Sequence, residues 1–383
     1  MPKDEIVIHA AVANTSDDPF VTEQLLLAEP RSSEIRVRIV STSICHTDII
    51  TKNKGLCSFP IVLGHEATGI VDALGDAVTG FALGDHVILS YDYCGNCVQC
   101  REGKPSYCDE HGDLNFSGTR PDGIKTHRRA QSDTPDIFGS FFQQSSFATY
   151  ALSHMTNTIK VDKSLPLTLL APLGCGVQTG AGTVFNTLQV KKKSSLAVFG
   201  CGCVGLSAIM AAKSAGAATI TAIDINPKRL EVARELGATH AIRATDYADD
   251  SALVEAVKSF GKASGYHYAI DTSGVPSVLR QATECCGPLG VTAMIAPGVP
   301  GTEVCLQMLD LLPGKSLRGV IQGDAVSKNF IPKLIDLWQA GSFPFDKLIT
   351  KFEGLDSLDS AVRAMNSGEV IKPVIIIDEA FSD

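Results

Sequence analysis

The second half of the chain alternates short apolar runs with amphipathic helical stretches, and this alternation limits the possible folds more than any other feature. The expected strands are residues 195–200 (SLAVFG), 218–225 (ATITAIDI), 266–271 (YHYAID) and 290–296 (GVTAMIA). Residues 204–217 and 228–238 follow the first two strands and have helical periodicity. Such alternation predicts a parallel sheet with right-handed crossovers, which is an α/β architecture.

A glycine-rich loop follows the first of these strands and opens the first helix. The loop, VFGCGCVGLSA, contains Gly200, Gly202 and Gly205 in the pattern G-x-G-x-x-G. The first glycine permits the tight turn, the second lets the backbone approach a pyrophosphate, and the third lets the helix pack on the strand. The free N–H groups at the helix N-terminus can bind the anion. The loop therefore predicts a dinucleotide-binding site.

An acidic residue at the end of the second strand indicates which dinucleotide binds. Asp224 lies 19 residues after Gly205. A carboxylate there can bind the ribose hydroxyls of NAD, and it repels the 2′-phosphate of NADP. Lys228 is a further expected cofactor contact, and Arg229 follows it. NAD is therefore expected, and these two cations leave NADP as the less favoured alternative.

The first 150 residues have a different pattern, with short β-rich runs broken by glycines. Examples are residues 34–44, 67–75 and 85–91, which predict a β-rich domain with tight turns. Two amphipathic helices are expected near the end of the chain, at residues 329–341 and 358–368. A chain of 383 residues is long for one hydrophobic core, so two domains are expected.

Four cysteines lie close together in a lobe of about residues 93–109. Cys94, Cys97, Cys100 and Cys108 have the spacing C-x2-C-x2-C-x7-C. A closed set of four sulfur ligands is typical of structural zinc, which holds a loop that has little core of its own. The common iron–sulfur run has a last gap of three residues followed by proline, whereas here the gap is seven and Asp109 follows. Zinc is therefore favoured over an iron–sulfur cluster.

The compartment expected for the chain bears on its 12 cysteines. The N-terminus lacks a signal-peptide core, and no apolar run reaches the roughly 20 residues of a membrane span. A cytoplasmic protein with reduced cysteines is therefore expected, and close cysteine clusters then favour metal binding. The net charge of −9 argues against nucleic acid and anionic membranes as partners.

A second set of metal-binding residues is scattered over three segments. Cys45 lies in SICHTD, His65 and Glu66 lie in LGHEATG, and Cys175 lies in PLGCGVQTG. Two cysteines and one histidine would leave the fourth position of a tetrahedral zinc open for water or substrate, which is the design of a catalytic site. Spacing alone does not select these residues, because a lone cysteine or histidine in a β-rich domain is more often part of the core.

The chain resembles the zinc-containing medium-chain alcohol dehydrogenases over nearly its whole length. In family order, the motifs are CHTD (45–48), GHEATGIVDALGDAV (64–78), the four-cysteine lobe, PLGCGVQTGAG (172–182) and the glycine loop. SFFQQSSFATYALS (140–153) is among the segments most similar to the aryl-alcohol (benzyl-alcohol) dehydrogenase branch.

The resemblance implies a GroES-like β-rich catalytic domain with an inserted Rossmann dinucleotide-binding domain. The expected bounds are 1–176 for the catalytic domain, 177–316 for the Rossmann domain and 317–383 for the C-terminal part of the catalytic domain. The active site is expected in the cleft where both domains meet.

The resemblance also implies roles for the scattered residues. Cys45, His65 and Cys175 match the catalytic zinc ligands, and Glu66 matches a carboxylate that exchanges with the zinc-bound water. Asp48 matches the acceptor of the His65 ring N–H, which fixes the tautomer of the ring. With the lobe, two zinc ions per chain are expected.

Further positions match residues around the cofactor. His46 and Lys372 stand where the family places cationic partners of the pyrophosphate, and Thr179 and Val204 match residues against the nicotinamide.

A proton relay is also implied. Thr47 matches the hydroxyl that binds the zinc-bound alcohol and starts the relay. The liver-type pattern ends the relay with a histidine where this chain has Ile50, so the final acceptor is open between His46 and bulk water.

The resemblance places five residues around the substrate. Ser90 stands where many short-alcohol enzymes of the family have a bulky aromatic residue, so a wide pocket is expected. Phe141 and Phe142 match pocket walls, and Ala296 and Ile321 match the far side. Aromatic walls suit a benzyl-type alcohol. The alternative is that both phenylalanines only fill the hydrophobic core.

The expected function is hydride transfer between NAD and a primary, aromatic alcohol or its aldehyde, in a homodimer or homotetramer. Two other dehydrogenase types stay open. One is the glutathione-dependent formaldehyde type, for which the cations would come from Arg120, Lys125, Arg128 and Arg129. The other is a secondary-metabolism enzyme for a bulkier natural product. A redox sensor or scaffold without catalysis is disfavoured, because it would have little use for an open zinc site.

Overall fold

The computed structural model describes residues 5–130, 136–261, 264–296 and 298–381. These residues fall into two units. The first unit comprises Met1–Cys175, Val326–Lys333 and Asp346–Asp383, and the second comprises Gly176–Ala325 and Leu334–Phe345.

The strands and helices follow one another along the chain with few long gaps. The strands are β1 (Ile6–Ala13), β2 (Val21–Leu27), β3 (Glu34–Ser43), β4 (Ile61–Val62), β5 (Ala67–Leu74), β6 (His86–Leu89), β7 (His127–Arg128), β8 (Tyr150–His154), β9 (Thr158–Val161), β10 (Ser195–Phe199), β11 (Thr219–Asp224), β12 (His240–Arg243), β13 (Tyr266–Asp271), β14 (Cys286–Met294), β15 (Ser316–Gly319), β16 (Ile349–Glu353) and β17 (Lys372–Ile376). The α-helices are α1 (His46–Asn53), α2 (Val98–Arg101), α3 (His111–Phe116), α4 (Leu167–Leu170), α5 (Gly176–Gly182), α6 (Cys203–Ser214), α7 (Pro227–Leu236), α8 (Asp250–Phe260), α9 (Pro276–Cys285), α10 (Met308–Leu311), α11 (Ser327–Gln339) and α12 (Leu358–Asn366). Across the described ranges, no helix combines the length and the apolar character that a membrane span requires.

The first unit is built on two sheets. One sheet has the order β4-β1-β2-β7, and the other has the order β16-β17-β3-β5-β6-β9, with β8 also paired to β3. Every pairing between these strands is antiparallel except that of β16 with β17. Buried residues such as Leu25, Val62 and Phe147 form one of its hydrophobic clusters. The β-rich domain expected from the sequence is confirmed.

The second unit is built on one parallel sheet of six strands. The order is β12-β11-β10-β13-β14-β15, and every pairing is parallel. All five residues of the central strand β10 are buried, as expected for a parallel sheet that helices cover on both faces. Counted along the chain, this is the strand order 3-2-1-4-5-6 of the Rossmann fold, so the predicted fold class is confirmed.

The glycine loop lies at the carboxyl end of β10, where the strand order reverses and where ligands bind in such sheets. Gly200 has a φ of 91°, which favours glycine. A Cβ atom at Gly205 would overlap the carbonyl oxygen of Gly200, so the helix packs this closely only on a glycine. By contrast, a Cβ atom at Gly202 would meet nothing within 4 Å, which leaves space over the backbone for a ligand.

Candidate functional site

The four cysteines of the lobe come together in the first unit. Their sulfur atoms all lie within 4.8 Å of one another. The Sγ–Sγ distance is 4.0 Å between Cys94 and Cys100 and 3.9 Å between Cys97 and Cys108. A tetrahedron with metal–sulfur bonds of about 2.3 Å has edges of about 3.8 Å, so a zinc ion fits among these four sulfurs.

Backbone N–H groups donate to sulfurs of the lobe, and they act against burial, which raises the pKa of the Cys100 and Cys108 thiols. The N–H of Cys97 donates to Cys94 Sγ at 3.3 Å, and the N–H of Cys94 donates to Cys108 Sγ at 3.4 Å. Backbone hydrogen bonds from Asp109 and Cys100 lower the pKa of the Cys97 thiol to about 7. Because the thiolate is the metal-binding form, the loop is prepared for a cation.

Cys45, His65, Glu66 and Cys175 form a second group, called the open cluster below. Cys45 directly precedes α1, His65 and Glu66 lie between β4 and β5, and Cys175 directly precedes α5. One ligand atom of each lies within 4.8 Å of the others. In the described part of the chain, the lobe and the open cluster are the groups of three or more such side chains that could share an ion.

Asp48 fixes the orientation of the His65 ring. His65 Nδ1 lies 2.8 Å from Asp48 Oδ1, and both side chains are fully buried. The same carboxylate accepts the N–H of Gly64 at 3.1 Å and, through Oδ2, the N–H of Cys45 at 3.0 Å. Burial opposes a charged ring, but the Asp48 carboxylate outweighs it and raises the pKa of His65 well above its usual value.

The other ring nitrogen of His65 shows that the cluster fits a metal. Nε2 is buried and has no hydrogen-bond partner among the described residues. A buried nitrogen left without a partner costs free energy, and a metal ion would satisfy it. Asp48 on Nδ1 leaves Nε2 as the atom available to a metal ion, which is the usual arrangement for a zinc-binding histidine.

The two sulfurs of the open cluster compete for one proton. The hydrogen bond with Cys175 lowers the pKa of the buried Cys45 thiol well below its usual value, and His65 and Lys372 act in the same direction. The same contact raises the pKa of Cys175. A divalent cation would stabilise both as thiolates, so this pair suits a metal ion.

Glu66 is paired with a lysine from the end of the chain. Lys372 Nζ lies 2.8 Å from Glu66 Oε1 and 2.7 Å from Oε2, and it donates to the Ile44 carbonyl at 3.0 Å. Lys372 is 2% exposed and Glu66 is fully buried. Burial raises the pKa of Glu66, although Lys372 opposes the shift. Lys372, which the family resemblance matches to a pyrophosphate contact, therefore forms an ion pair with Glu66 of the open cluster.

The first turn of α1 holds the residues of the implied proton relay. His46 is the first residue of the helix and is exposed, and Thr47 follows and is half-buried. Ile50 lies one turn further on and is 45% exposed. The helix therefore places a histidine within reach of solvent directly beside Cys45 of the open cluster.

Three of the five residues matched to the substrate pocket lie around the open cluster. The buried Ser90 hydroxyl lies 2.6 Å from the carbonyl of Gly174, next to Cys175. Phe141 and Phe142 are 0% and 3% exposed, and both rings contact the ring of His65.

The remaining two pocket residues belong to the second unit. Ala296 follows β14 and is half-buried, and Ile321 follows the neighbouring strand β15 and is 39% exposed. Of the residues matched to the nicotinamide, Thr179 is buried in α5 with Oγ1 3.4 Å from Gln322 Oε1, and Val204 is half-buried in the first turn of α6.

The carboxylate of Asp224 is held at the glycine loop. Oδ2 accepts the N–H of Cys201 at 2.6 Å, and Oδ1 accepts the N–H of Asn226 at 2.8 Å. Lys228 is exposed, whereas Arg229 is half-buried. Arg229 Nε is buried, and no residue in the described ranges bonds to it. Both cations were expected from the sequence, and their burial distinguishes them.

Gln144 is a residue near the site that the sequence did not indicate. It is fully buried, and its Nε2 donates to the carbonyls of His65 at 3.0 Å and Ser90 at 2.9 Å. No spacing rule predicts a contact between residues 79 positions apart in the chain.

Two protein-family models match the chain. The one described as "Alcohol dehydrogenase GroES-like domain" matches residues 31–163, and the one described as "Zinc-binding dehydrogenase" matches residues 203–340. These ranges lie on the β-rich half and on the half that contains the parallel sheet.

Similar proteins extend the match over nearly the whole chain. Geraniol dehydrogenase of Castellaniella defragrans is 40% identical over 376 residues, which are 98% of this chain and 99% of that protein. The crystal structure of benzyl alcohol dehydrogenase from Acinetobacter calcoaceticus is 41% identical, with a TM-score of 0.92 and coverage of 97% of this chain and 100% of that one. An alcohol dehydrogenase zinc-binding domain protein from Burkholderia ambifaria is 42% identical, with a TM-score of 0.93 and coverage of 98% and 100%. The chain belongs to the zinc-containing medium-chain alcohol dehydrogenase family.

Proposed function

We propose that the protein is an NAD-dependent zinc alcohol dehydrogenase that interconverts a primary, aromatic (benzyl-type) alcohol and its aldehyde. The observation that supports this most is the open cluster, in which Cys45, His65 and Cys175 converge and His65 keeps an unpartnered Nε2. Three ligands with a free fourth position are typical of catalytic zinc.

The residues of the open cluster would each have a defined task. Zinc held by Cys45, His65 and Cys175 would supply a Lewis acid that lowers the pKa of an alcohol hydroxyl. Asp48 keeps the proton on His65 Nδ1, so that Nε2 presents its lone pair. Lys372 neutralises Glu66, so this carboxylate leaves the three ligands to the metal while it stays close enough to exchange with them.

The proton of the alcohol needs a route out of the site. We assign the first step to the hydroxyl of Thr47, which is half-buried, and the release to solvent to His46, which is exposed. The oxidation then removes a hydride from the alcohol carbon and a proton from its oxygen, which yields the aldehyde. NAD bound at the glycine loop would supply the hydride acceptor.

The choice of NAD over NADP rests on Asp224. Asp224 is 8% exposed, and its carboxylate accepts two backbone N–H groups, those of Cys201 and Asn226. A negative charge held in place there suits the ribose hydroxyls and repels a 2′-phosphate. Arg229 supplies a partly compensating positive charge, so activity with NADP should be measured beside activity with NAD.

The pairing of the basic residues disfavours the glutathione-dependent alternative. Arg120 donates to Glu34 through Nε and Nη2, both at 2.7 Å. Arg129 donates to Glu23 at 2.6 and 2.7 Å, and Arg128 pairs with Glu5. Lys125 Nζ donates to the Asp136 carbonyl at 2.9 Å and lies 3.9 Å from the Phe138 ring centroid. These cations already have protein partners, so they are poorly suited to binding the carboxylates of glutathione.

Kinetics with a panel of alcohols will test the proposed function. We expect kcat/KM with NAD to be well over tenfold higher for benzyl and cinnamyl alcohol than for ethanol. Geraniol belongs in the panel, because a geraniol dehydrogenase is among the similar proteins and would represent the bulkier natural-product class. Comparable values for ethanol would contradict the aromatic pocket, and a requirement of formaldehyde oxidation for glutathione would favour the alternative.

We further propose a homo-oligomer that forms through the second unit. Strand β15 is at the edge of the parallel sheet, and all four of its residues are exposed. Beside it in sequence, Met308, Leu309 and Leu312 are 87%, 77% and 78% exposed, and we call these three residues the apolar face. An open strand edge next to exposed large apolar side chains is suited to pairing with another chain.

We also propose that the protein is cytoplasmic. None of the 12 cysteines is joined in a disulfide, including the adjacent pair Cys285 and Cys286. Free thiols in this number persist in a reducing compartment.

A further inference from the structure

Residues 141–146 (FFQQSS), called the FFQQSS segment below, form a buried loop with an unusual backbone. None of its side chains is more than 3% exposed. Phe142, Gln143 and Ser145 have φ angles of 53°, 48° and 48°, which place three residues other than glycine in the left-handed region. Such conformations cost free energy and persist only where the surrounding structure enforces them.

Hydrogen bonds hold the FFQQSS segment in this conformation and attach it to the chain next to His65. Ser145 Oγ donates to the carbonyl of Val62 at 2.7 Å and accepts the N–H of Phe141 at 2.8 Å. The N–H of Ser146 donates to the carbonyl of Gly64 at 3.0 Å. The strained loop is therefore fastened to the residues that lead into a metal ligand.

The first consequence of this geometry is a ring stack on His65. The Phe142 ring lies 4.4 Å from the His65 ring, centroid to centroid, at an angle of 24°. The Phe141 ring meets the same imidazole edge-on, at 5.7 Å and 80°. The hydrogen bond to Asp48 fixes which edge of the imidazole faces the carboxylate, but it leaves the ring able to tilt about that bond. A phenyl ring packed against one face blocks the tilt.

The second consequence is a bridge between two backbone segments. Gln144 Nε2 donates to the carbonyl of His65 at 3.0 Å and to the carbonyl of Ser90 at 2.9 Å. Both partners are acceptors, so the amide nitrogen must face them, and the orientation of the side chain follows from chemistry. The bridge fixes the backbone of a metal ligand relative to that of a residue matched to the substrate pocket.

We propose that Phe142 and Gln144 are positioning residues that hold His65 in the orientation for metal binding. Phe142 fixes the plane of the His65 imidazole, and Gln144 fixes the position of the His65 backbone carbonyl. The strain in the FFQQSS segment is what places both side chains on the same histidine. This inference rests on the proposed zinc chemistry, and it assigns to the segment a role that is separate from contact with substrate.

The test measures metal binding at the open cluster in the full chain. Phe142→Leu removes the ring, and Gln144→Met removes both hydrogen bonds with little change in shape. Gln143→Met is a matched control, because Gln143 Nε2 also bridges two carbonyls, those of Leu114 and Thr119, both at 2.9 Å and neither a metal ligand. Zinc competition with a chelator and the visible spectrum of the cobalt-substituted protein are the readouts.

We expect the affinity of the open cluster for zinc to fall about tenfold or more in Phe142→Leu and in Gln144→Met, as is usual when a partner that orients a ligand is lost. We also expect a changed cobalt spectrum. In both variants the four-cysteine lobe should bind zinc with wild-type affinity. The Gln143→Met control should bind zinc with wild-type affinity at the lobe and at the open cluster. If Gln144→Met does not fold, Gln144→Glu tests the same contacts, because a carboxylate cannot donate to both carbonyls.

Three results would overturn the proposal. The first is wild-type affinity and spectrum in both folded variants. The second is an equal loss in Gln143→Met, which would show that the segment acts through general stability. The third is a wild-type protein that binds zinc in the lobe alone, which would remove the metal assignment of the open cluster as well. An enzyme that binds two zinc ions but turns over no alcohol would instead overturn the proposed function and leave this inference standing.

Discussion

At the scale of single residues, Cys97 and Cys175 have the same side chain but lie in clusters of different composition. Cys97 is one of four sulfurs in a closed set, whereas Cys175 shares its cluster with one other sulfur, a histidine and a carboxylate. A closed site stabilises a loop, and an open site can bind substrate. Substitution of each should therefore affect a different property of the protein.

The first prediction follows from this difference. Cys175→Ser should give a folded protein with a melting temperature close to that of the wild type and with no measurable alcohol oxidation, because one of three ligands is lost. Cys97→Ala should lower the melting temperature by several degrees, because the lobe loses its metal, and the folded fraction should keep turnover. Thermal unfolding, alcohol oxidation and zinc content check both variants. The reverse pattern would mean that the two sites have been assigned the wrong way round.

The second prediction concerns Asp224 and the two cations after it. Asp224→Ser should raise the ratio of kcat/KM for NADP to that for NAD about tenfold or more, because removal of repulsion from a 2′-phosphate is worth at least ~1.4 kcal/mol. In the Asp224→Ser background, Arg229→Ala should cancel most of the gain, whereas Lys228→Ala should change little, because Lys228 is exposed and Arg229 has a buried Nε. An equal effect of both substitutions would contradict the distinction between them.

At the scale of elements, a charged network joins β8 and β3 to the base of the lobe. His154 is the last residue of β8. Its Nδ1 lies 2.9 Å from Asp92 Oδ2, and its Nε2 lies 3.8 Å from Glu34 Oε1. Burial opposes charge on Glu34 and on His154. The neighbouring His154 and Arg120 nevertheless lower the pKa of Glu34 to about 2, and the neighbouring Asp92 and Glu34 raise the pKa of His154 to about 9. Asp92 directly precedes the lobe, so this network holds the lobe against the sheet.

The third prediction follows from the raised pKa of His154. Below pH 6.5 both the folded and the unfolded chain bind the proton, and the stabilisation is complete. Between pH 6.5 and about 9 the unfolded chain loses the proton first, so this stabilisation, on the order of 1–3 kcal/mol, declines as the pH rises. His154→Gln should lower the melting temperature at pH 6 and flatten its dependence on pH up to 9. Parallel curves for the wild type and the variant would contradict the role of His154.

The elements also show how far sequence reasoning reaches. Strand β13 occupies the predicted residues 266–271, and α7 ends at Leu236 before Gly237, whose φ is 130°, because apolar periodicity and glycine stops are local signals. The FFQQSS segment could not be predicted, because its left-handed residues are held by contacts distant in the chain. The predicted domain bounds and the predicted roles of the site residues stay predictions.

At the scale of the whole molecule, the apolar face gives a test of assembly. The fourth prediction is that a double variant with Leu309→Asp and Leu312→Asp will have a lower mass in solution, because two charges cannot be buried in an apolar interface without a large cost. Light scattering with size-exclusion chromatography measures the mass. Leu83→Asp is the control, since Leu83 is 65% exposed in the first unit and should leave the mass unchanged. A wild type that is already monomeric would contradict the proposed oligomer.

The carboxylate of Asp48 has a consequence for how the open cluster and α1 form. It accepts the N–H of Cys45 at the start of α1 and also orients His65. The start of α1 and the orientation of His65 thus depend on one side chain. A metal ion bound at the open cluster should therefore stabilise the first turn of α1. Amide hydrogen exchange in α1 should then slow when the open cluster fills, while exchange in the lobe stays unchanged. Amide exchange in α1 would then report whether the open cluster holds a metal ion, even in a protein whose four-cysteine lobe is already filled.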